Sequence, residues 1–323
     1  MEPASWPKRA IATTPSWAAT TRALHWPGCD PVVPETLWQL ALACSERAES
    51  NGALVPLSTE SLDLGIDPFV LRRLVSRTPK HLRAEGPKPN PFLPWDPALE
   101  VSRLGDSHVV LLNKYPVQRG HLLVIPTSWK PQSGWLEPAD WQALVAVHAD
   151  TQGLWFFNSC AAAGASQPHR HLQLLPRPRQ ASTCPLEDYY TGLMQRSDAL
   201  QAAPWRCAIS PCPAPLSAEG LAALYLEHCS QLELGHPAHQ NAPGHPYNLL
   251  LTDRWLVTVR RTQEHCRGFS INALGFAGYL LATSSSDLVW LKAEGPWALL
   301  RQVAAPALGG FTVDGHQGAD ASW

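Results

Sequence analysis

The sequence feature that most constrains the fold is a pair of apolar runs on either side of a short polar segment. The runs cover residues 109–112 and 122–125, and the segment between them contains Pro116 and Gly120. Such a pattern is typical of an antiparallel β-hairpin. Residues 247–261 repeat the order of apolar run, polar turn and apolar run. We therefore expect a mainly antiparallel sheet with a weak internal duplication, in which the C-terminal half of the chain completes the sheet.

The segments around these hairpins indicate helices that pack on the sheet. Proline contributes 31 of the 323 residues, which argues against a long helical bundle and favours short elements with irregular connections. Hydrophobic residues make up 45% of the chain, enough for a substantial core. The predicted fold class is α+β. Apolar spacing predicts helices at residues 35–50, 67–75, 137–149, 187–203, 218–234 and 287–304, a strand at 154–159 and an edge strand within 205–216.

The segment from Gly164 to Pro176 carries the polar side chains with the clearest chemistry. Residues two apart in a strand share a face, so His169, His171 and Gln173 are predicted to point to one side, with leucines turned to a core on the other. The small residues before them allow backbone N–H groups to approach a phosphate closely. Imidazole, carboxamide and amide groups together suit phosphoryl or nucleotidyl transfer. A metal site and an exposed polar strand face are the alternative interpretations.

The same segment carries a family resemblance. The run His-Arg-His-Leu-Gln-Leu-Leu at 169–175 resembles the histidine-triad signature, in the transferase form in which Gln replaces the third His. The preceding Gly-Ala-Ser-Gln resembles the phosphate-binding turn of the diadenosine tetraphosphate phosphorylases, also called ATP adenylyltransferases. This resemblance implies a histidine-triad-like fold, with His171 as the nucleophile and His169 as a substrate-binding residue that orients its neighbours. It also implies substrate contacts from Gly164, Ala165, Ser166, Gln167 and Gln173.

The first hairpin extends the resemblance. Its run Asn-Lys-Tyr-Pro-Val at 113–117 is similar to the histidine-triad hairpin. In that family, the residues that match Asn113 and Lys114 contact the nucleotide and its phosphates, a role that suits lysine as a compact positive charge. His121 is interpreted as structural.

Two further matches imply substrate contacts in the second half of the sheet. Asn158 ends the predicted strand at 154–159, where the family has a substrate-binding Asn. Residues 247–261 resemble the family's C-terminal motif, whose Asn and basic residues reach the far end of the polyphosphate. The matching candidates are Asn248, Arg254 and Arg261. Surface charge on an edge strand is the alternative interpretation for the two arginines.

The activity implied by the resemblance is reversible phosphorolysis of a dinucleoside polyphosphate, in which diadenosine tetraphosphate and phosphate give ATP and ADP. His171 would attack the α-phosphorus and expel ATP, and phosphate would then take the nucleotidyl group from the histidine. The alternatives are a histidine-triad hydrolase, in which water is the acceptor, and a nucleotide sensor without turnover. A divalent cation such as Mg²⁺ is expected to bind through substrate phosphates, and no zinc site is expected. Base preference and the use of adenosine 5′-phosphosulfate stay open.

Composition argues against several other classes of partner. A net charge of −2 and a pI near 6.7 provide no basic surface for a nucleic-acid polymer. The sequence shows no signal-peptide pattern and no apolar run as long as a membrane span, so we expect a soluble, cytoplasmic monomer. The eight cysteines are scattered and interpreted as reduced thiols. The predicted organisation is an N-terminal arm (1–34), a catalytic half (35–180), a C-terminal half (181–306) and a tail (307–323).

Overall fold

An eight-stranded antiparallel sheet organises the chain. The computed structural model describes residues 36–76, 90–176, 183–196 and 202–307. Every neighbouring pair of strands in this sheet is antiparallel, as predicted. Strand numbers follow the chain, and from one edge of the sheet to the other the strands are β3 (Glu100–Leu104), β4 (His108–Leu112), β5 (Leu122–Pro126), β7 (Leu172–Pro176), β6 (Gly153–Asn158), β9 (Tyr247–Leu251), β10 (Trp255–Arg260) and β8 (Cys207–Pro211).

Both predicted hairpins are confirmed, and both lie in this one sheet. β4 pairs with β5, and β9 pairs with β10. The two halves of the sheet meet where β6 pairs with β9, with Asn158 opposite Asn248. The predicted edge strand is β8, whose Pro211 cannot donate a ladder hydrogen bond. The domain boundaries at 180 and 306 stay predictions, and the arm at 1–34 and the tail beyond Ala307 lie outside the described residues.

A smaller sheet corrects one predicted helix. Its strands are β1 (Thr59–Leu62), β2 (Val70–Leu74) and β13 (Tyr279–Ala282), with β2 antiparallel to β1 and parallel to β13. The prediction of a helix over 67–75 was therefore wrong. The backbone of β2 is paired by a strand from far along the chain, and the Arg72 guanidinium bonds Thr59 on β1. Tertiary pairing overrides weak helical spacing in so short a segment. A two-residue pair, β11 (His265–Cys266) and β12 (Phe269–Ser270), completes the strands.

The described helices pack on the large sheet. They are α1 (Thr36–Ser50), α2 (Pro138–Asp150), α3 (Glu187–Met194), α4 (Ala218–Gln231), α5 (Ala273–Phe276) and α6 (Leu288–Val303). The predicted helices at 35–50, 137–149, 218–234 and 287–304 are confirmed, whereas α3 ends earlier than predicted. α2 begins with a capping box in which Glu137 and Asp140 satisfy each other's backbone N–H groups. α6 bends at Gly295, where the backbone leaves helical geometry before Pro296. None of the helices in the described ranges is long and apolar enough to span a membrane.

Alternation along the central strands divides the core into layers. Trp155, Phe157 and Leu174 face a cluster that includes α1, α2 and α4. Leu154 and Phe156 face the opposite cluster, which includes α5 and α6. A third, smaller cluster around Phe92 covers the outward face of β4 and β5. Helices on both faces of an antiparallel sheet confirm the α+β class.

Candidate active site

His171 lies immediately before β7 and is held by two backbone contacts. Its ring Nδ1 is 2.8 Å from the carbonyl oxygen of His169, and its backbone N–H donates to the Gln132 side chain at 2.8 Å. A carbonyl oxygen only accepts, so Nδ1 must carry the hydrogen and Nε2 must hold the lone pair. Burial lowers the pKa of His171 to about 4, so the imidazole is neutral at pH 7. A neutral ring with an unprotonated Nε2 is the form that can act as a nucleophile.

A chain of hydrogen bonds sets the orientation of the Gln173 amide. The Tyr115 N–H donates to Asn113 Oδ1 at 3.1 Å, which directs the Asn113 amide nitrogen toward His121 Nδ1 at 3.1 Å. His121 Nε2 then carries the ring hydrogen and donates to Gln173 Oε1 at 3.1 Å. Burial, with a smaller contribution from the nearby His171, lowers the pKa of His121 to about 4. Because its oxygen is occupied, Gln173 keeps both amide N–H groups available for an anion.

His169 occupies a different environment from the one predicted by strand spacing. β7 begins at Leu172, so among the three predicted polar residues only Gln173 lies in the strand. His169 is fully buried, and its Nε2 bonds the Pro126 carbonyl at 2.9 Å. Its ring lies 5.4 Å from the Trp129 ring and 6.0 Å from the Phe92 ring. His169 thus supports the site through its own carbonyl, which accepts from His171, and through its packing.

The turn before the histidines presents free backbone donors. A 3₁₀ turn, Ala161–Ala163, ends at Gly164 with φ of 88°. The N–H groups of Gly164 and Ala165 bond back to Ala161 and Cys160. Among the described residues, none accepts a hydrogen bond from the N–H of Ser166 or Gln167. Ser166 is exposed, and the Gln167 side-chain oxygen has no partner. Two unpaired N–H groups beside a neutral imidazole form an anion-binding arrangement.

Asn158, Asn248 and Arg261 form a buried network behind this turn. Asn158 Oδ1 accepts from Asn248 Nδ2 and from the N–H of Ala273, both at 2.8 Å. Asn248 Nδ2 also donates to the Ala163 carbonyl at 2.8 Å. Arg261 donates to Asn248 Oδ1 and to backbone carbonyls around it, and its side chain is almost completely buried. The network fixes the base of the turn, and the substrate contacts expected from these three residues stay predictions.

Lys114 and Arg254 lie at exposed positions with different relations to the site. Lys114 follows Asn113 at the end of β4 and is exposed, so its ammonium is available to a ligand. Arg254 lies in the β9–β10 turn, where it forms an ion pair with Glu187 at 3.3 Å. That turn is at the other end of β9 from Asn248, the residue that adjoins Asn158. The structure therefore does not bring Arg254 together with the other predicted residues.

Two residues that position His171 were missed by sequence reasoning. Gln132 makes three hydrogen bonds: its N–H donates to Pro168 O, its Oε1 accepts from His171, and its Nε2 donates to Asn158 O at 2.6 Å. The buried Arg170 guanidinium donates to Asp140 at 2.8 Å on the opposite side of the segment. The sequence does contain a signal for Arg170, because it stands between two histidines. Gln132 lies in a loop without a motif and offers no such signal.

The described residues contain no group of three or more His, Cys, Asp or Glu side chains arranged to hold a metal ion. The binding of a divalent cation through substrate phosphates stays a prediction.

Comparison with known proteins agrees with this geometry. Protein APA1 of Saccharomyces cerevisiae is 26% identical over 292 aligned residues, covering 80% of this chain and 90% of the relative. Diadenosine 5′,5‴-P1,P4-tetraphosphate phosphorylase 2 of the same yeast is 26% identical over 274 residues, covering 75% and 82%. The crystal structure of yeast Ap4A phosphorylase Apa2 in complex with AMP has a TM-score of 0.66 at 24% identity, covering 87% of this chain and 100% of that chain. This likeness confirms the histidine-triad-like fold.

Two family models match consecutive parts of the chain. The Ap4A phosphorylase N-terminal domain matches residues 29–191, which include His171 and Gln173. The ATP adenylyltransferase C-terminal domain matches residues 201–306, which include the β9–β10 hairpin. Because the first model alone spans half of the sequence and the second follows it in order, the protein belongs to the Ap4A phosphorylase family of nucleotidyltransferases, the ATP adenylyltransferases.

Proposed function

We propose that the protein catalyses the phosphorolysis of diadenosine tetraphosphate (Ap4A) to ATP and ADP, and the reverse reaction. The observation that carries this proposal is the neutral, buried imidazole of His171, whose Nε2 is left unprotonated by the bond from Nδ1 to the His169 carbonyl. Crystal structures of the yeast relative Apa2 in complex with AMP and with Ap4A support adenine nucleotides as the ligands of this fold.

In the first half-reaction the His171 Nε2 lone pair attacks the α-phosphorus. The new N–P bond forms as the bond from that phosphorus to the bridging oxygen breaks, and ATP leaves with the bridging oxygen. Positive charge develops on the imidazole, and the His169 carbonyl stabilises it through the Nδ1–H. We infer that the two free N–H groups of Gln173 and those of Ser166 and Gln167 donate to the non-bridging oxygens as negative charge builds on them.

In the second half-reaction inorganic phosphate attacks the nucleotidyl group on His171. An oxygen of phosphate forms the new P–O bond, the N–P bond breaks, and ADP leaves with His171 restored to its neutral form. A carboxamide at position 173 can donate hydrogen bonds but cannot supply or remove a proton. This favours an acceptor that is already anionic, such as phosphate, over water, which needs a base to become a nucleophile.

Product analysis tests the proposal directly. Ap4A is incubated with the full chain, with and without phosphate, and nucleotides are separated by ion-exchange chromatography. ATP and ADP in equal amounts, formed only when phosphate is present, are the expected result. Equal rates of cleavage without phosphate, with AMP and ATP as products, would establish the hydrolase instead.

The covalent step predicts different effects on turnover for substitutions of His171 and His169. His171→Ala should abolish turnover while AMP still binds, because the donors from Gln173 and the turn do not depend on the imidazole. His169→Ala keeps the backbone carbonyl that accepts from His171, so we expect a smaller loss of turnover, on the order of 10²- to 10⁴-fold. Brief incubation with Ap4A labelled at the α-phosphorus should give acid-labile label on the wild-type protein and none on His171→Ala. Label on the His171→Ala protein would identify a different nucleophile.

Three further properties belong to the proposal. Activity should depend on Mg²⁺, and removal of the ion with a chelator should be reversed by adding it back. A cytoplasmic location is proposed because no disulfide joins the seven cysteines in the described part of the chain, as is typical of a reducing compartment. A monomer is proposed because strands from both halves of one chain already supply the sheet that carries the site.

A further inference from the structure

A cavity of about 500 Å³ lies at the end of the sheet formed by β8, β9 and β10. Three backbone hydrogen bonds fix its wall. The Arg206 N–H donates to Ala305 O at 2.8 Å, the Arg260 N–H donates to Arg206 O at 3.0 Å, and the Ala305 N–H donates to Arg260 O at 2.9 Å. The side chains of Arg206 and Arg260 are therefore held next to each other on a rigid edge. The remaining lining consists of His245, Pro246, Arg261, Thr262, Pro306 and Ala307.

The positive charges of the arginines in the cavity lining outnumber the carboxylates that neutralise them. The Arg206 and Arg260 side chains are only 13% and 16% exposed, yet they share one carboxylate, that of Glu233, at 2.9 and 3.1 Å. The Glu233 side chain is itself 66% exposed. Buried guanidinium groups are normally matched by an equal number of anions, because an unpaired buried charge is costly. An ion pair with so exposed a carboxylate contributes little and can be replaced.

The other polar groups of the cavity also donate. Arg260 donates to His245 Nε2 at 2.8 Å, so the hydrogen of the imidazole must be on Nδ1. Burial and the neighbouring Arg260 lower the pKa of His245, which keeps it neutral. The Arg206 Nε has no hydrogen-bond partner. None of the residues that line the cavity carries a negative charge, and its remaining surface is the Thr262 hydroxyl with apolar proline and alanine groups.

We propose that this cavity is a second binding site for phosphate, as the inorganic ion or as the phosphate group of a small phosphomonoester, held between Arg206 and Arg260. A tetrahedral dianion has enough oxygens to accept from both planar guanidinium groups, a geometry that arginine suits better than lysine. The volume is within the range of small-molecule sites. His171 is not among the residues that line this cavity, whereas Arg261 lines it and also donates to Ala163 O and Asn248 Oδ1 at the base of the 160–164 turn.

Equilibrium dialysis with ³²P-labelled phosphate tests the proposal on the full chain. The double variant Arg206→Gln/Arg260→Gln should bind one phosphate fewer per chain than the wild type, while its His171 is still labelled by Ap4A. Arg103→Gln is the matched control, since Arg103 is an exposed arginine paired with Glu100 elsewhere on the surface. Identical phosphate stoichiometry in the wild type and the double variant would overturn the proposal. Competition with unlabelled AMP distinguishes the two possible ligands. If AMP displaces the labelled phosphate whose binding requires Arg206 and Arg260, the site binds a phosphomonoester. If that label is retained, the site binds inorganic phosphate.

A second variant keeps the test independent of any folding defect. Glu233→Gln removes the carboxylate that competes for the two guanidinium groups, so it should tighten phosphate binding at this site by about tenfold, which corresponds to about 1.4 kcal/mol. A purely structural ion pair predicts no gain in binding. Unchanged or weaker phosphate affinity in Glu233→Gln would contradict the site.

Discussion

At the scale of single residues, the tautomer and position of His171 depend on the backbone carbonyl of His169 and the side chain of Gln132. Its Nδ1 is committed to a carbonyl and its backbone N–H to Gln132, so both the tautomer and the position of the ring are set before a ligand arrives. Gln132 also bonds Asn158 O at the end of β6, which ties the histidine segment to the neighbouring strand. The amide is suited to this position because it provides one acceptor and one donor, both of which are used.

Replacement of Gln132 by Glu tests this positioning. The carboxylate still accepts from His171 but faces the Asn158 carbonyl without a hydrogen to donate, so the strand end and the histidine should shift. We expect kcat for Ap4A phosphorolysis to fall by about 10²-fold, the cost of a small misplacement of a reacting group, with a smaller change in KM. Gln142→Glu, at an exposed position on α2, is the matched control. Equal losses in kcat and AMP affinity would indicate general disruption of the site instead.

The sequence indicated His171 and Gln173 as candidate site residues, but not the residues that hold them in place. His171 and Gln173 stand in a recognisable run, and Asn113 stands in a recognisable hairpin. Gln132 contacts His171 across 39 positions of sequence from a loop without a pattern, so only the fold brings the two together. His121, interpreted as structural, does hold a structural position, and through it determines which end of the Gln173 amide is free.

At the scale of elements, the turn that precedes the histidines is shaped by the segment before α5. A Cβ added at Gly164 would lie 2.6 Å from Asn272 Cβ and 2.9 Å from the Ile271 carbonyl oxygen, and its φ of 88° is unfavourable for any other residue. Asn272 caps α5 by accepting from Leu274 N–H, so it cannot easily withdraw. Residues of the C-terminal half therefore shape the turn for which phosphate binding is proposed.

Gly164→Ala should move this turn as well as destabilise the protein. Both the positive φ and the backbone contact oppose the methyl group, so we expect a loss of about 1–3 kcal/mol in the free energy of unfolding, together with an increased KM for Ap4A. Urea titration and steady-state kinetics measure the two effects. Gly105→Ala is the control, because Gly105 has a φ of 58° but open space around its Cα. A KM that is unaffected by Gly164→Ala would show that the turn does not bind phosphate.

The reliability of sequence patterns also differed between elements. The hairpins carried both an apolar run on each side and a turn between them, and the agreement of these local patterns was enough to predict them. Residues 67–75 carried only two inward leucines, and their partner strand β13 lies in the distant C-terminal half, so local spacing could not reveal a strand. Long-range pairing has no local signature.

At the scale of the whole molecule, burial keeps several histidines neutral. The pKa values of His121, His171 and His228 are each lowered to about 4, chiefly by burial, from an ordinary value of 6.5. His228 lies on α4, where its two ring nitrogens bond Thr258 and Ser210 at 3.0 and 2.9 Å. Burial therefore lowers the pKa of the proposed nucleophile, His171, in the same way as it lowers that of His228 on α4. Reactivity and acid sensitivity have the same physical origin.

Stability should therefore fall as the pH is lowered from about 6.5 toward 4. In the unfolded chain these histidines bind protons below pH 6.5, whereas in the folded chain they stay neutral until about pH 4. The free energy of unfolding therefore falls by on the order of 3 kcal/mol per histidine across that pH range. Burial raises the pKa of Glu187, which offsets part of the loss. Urea midpoints measured at intervals between pH 7.5 and 4.5 provide the profile. His228→Asn should flatten it while leaving the pH dependence of kcat unchanged, and a stability that is constant across the window would show that the buried histidines are not held neutral.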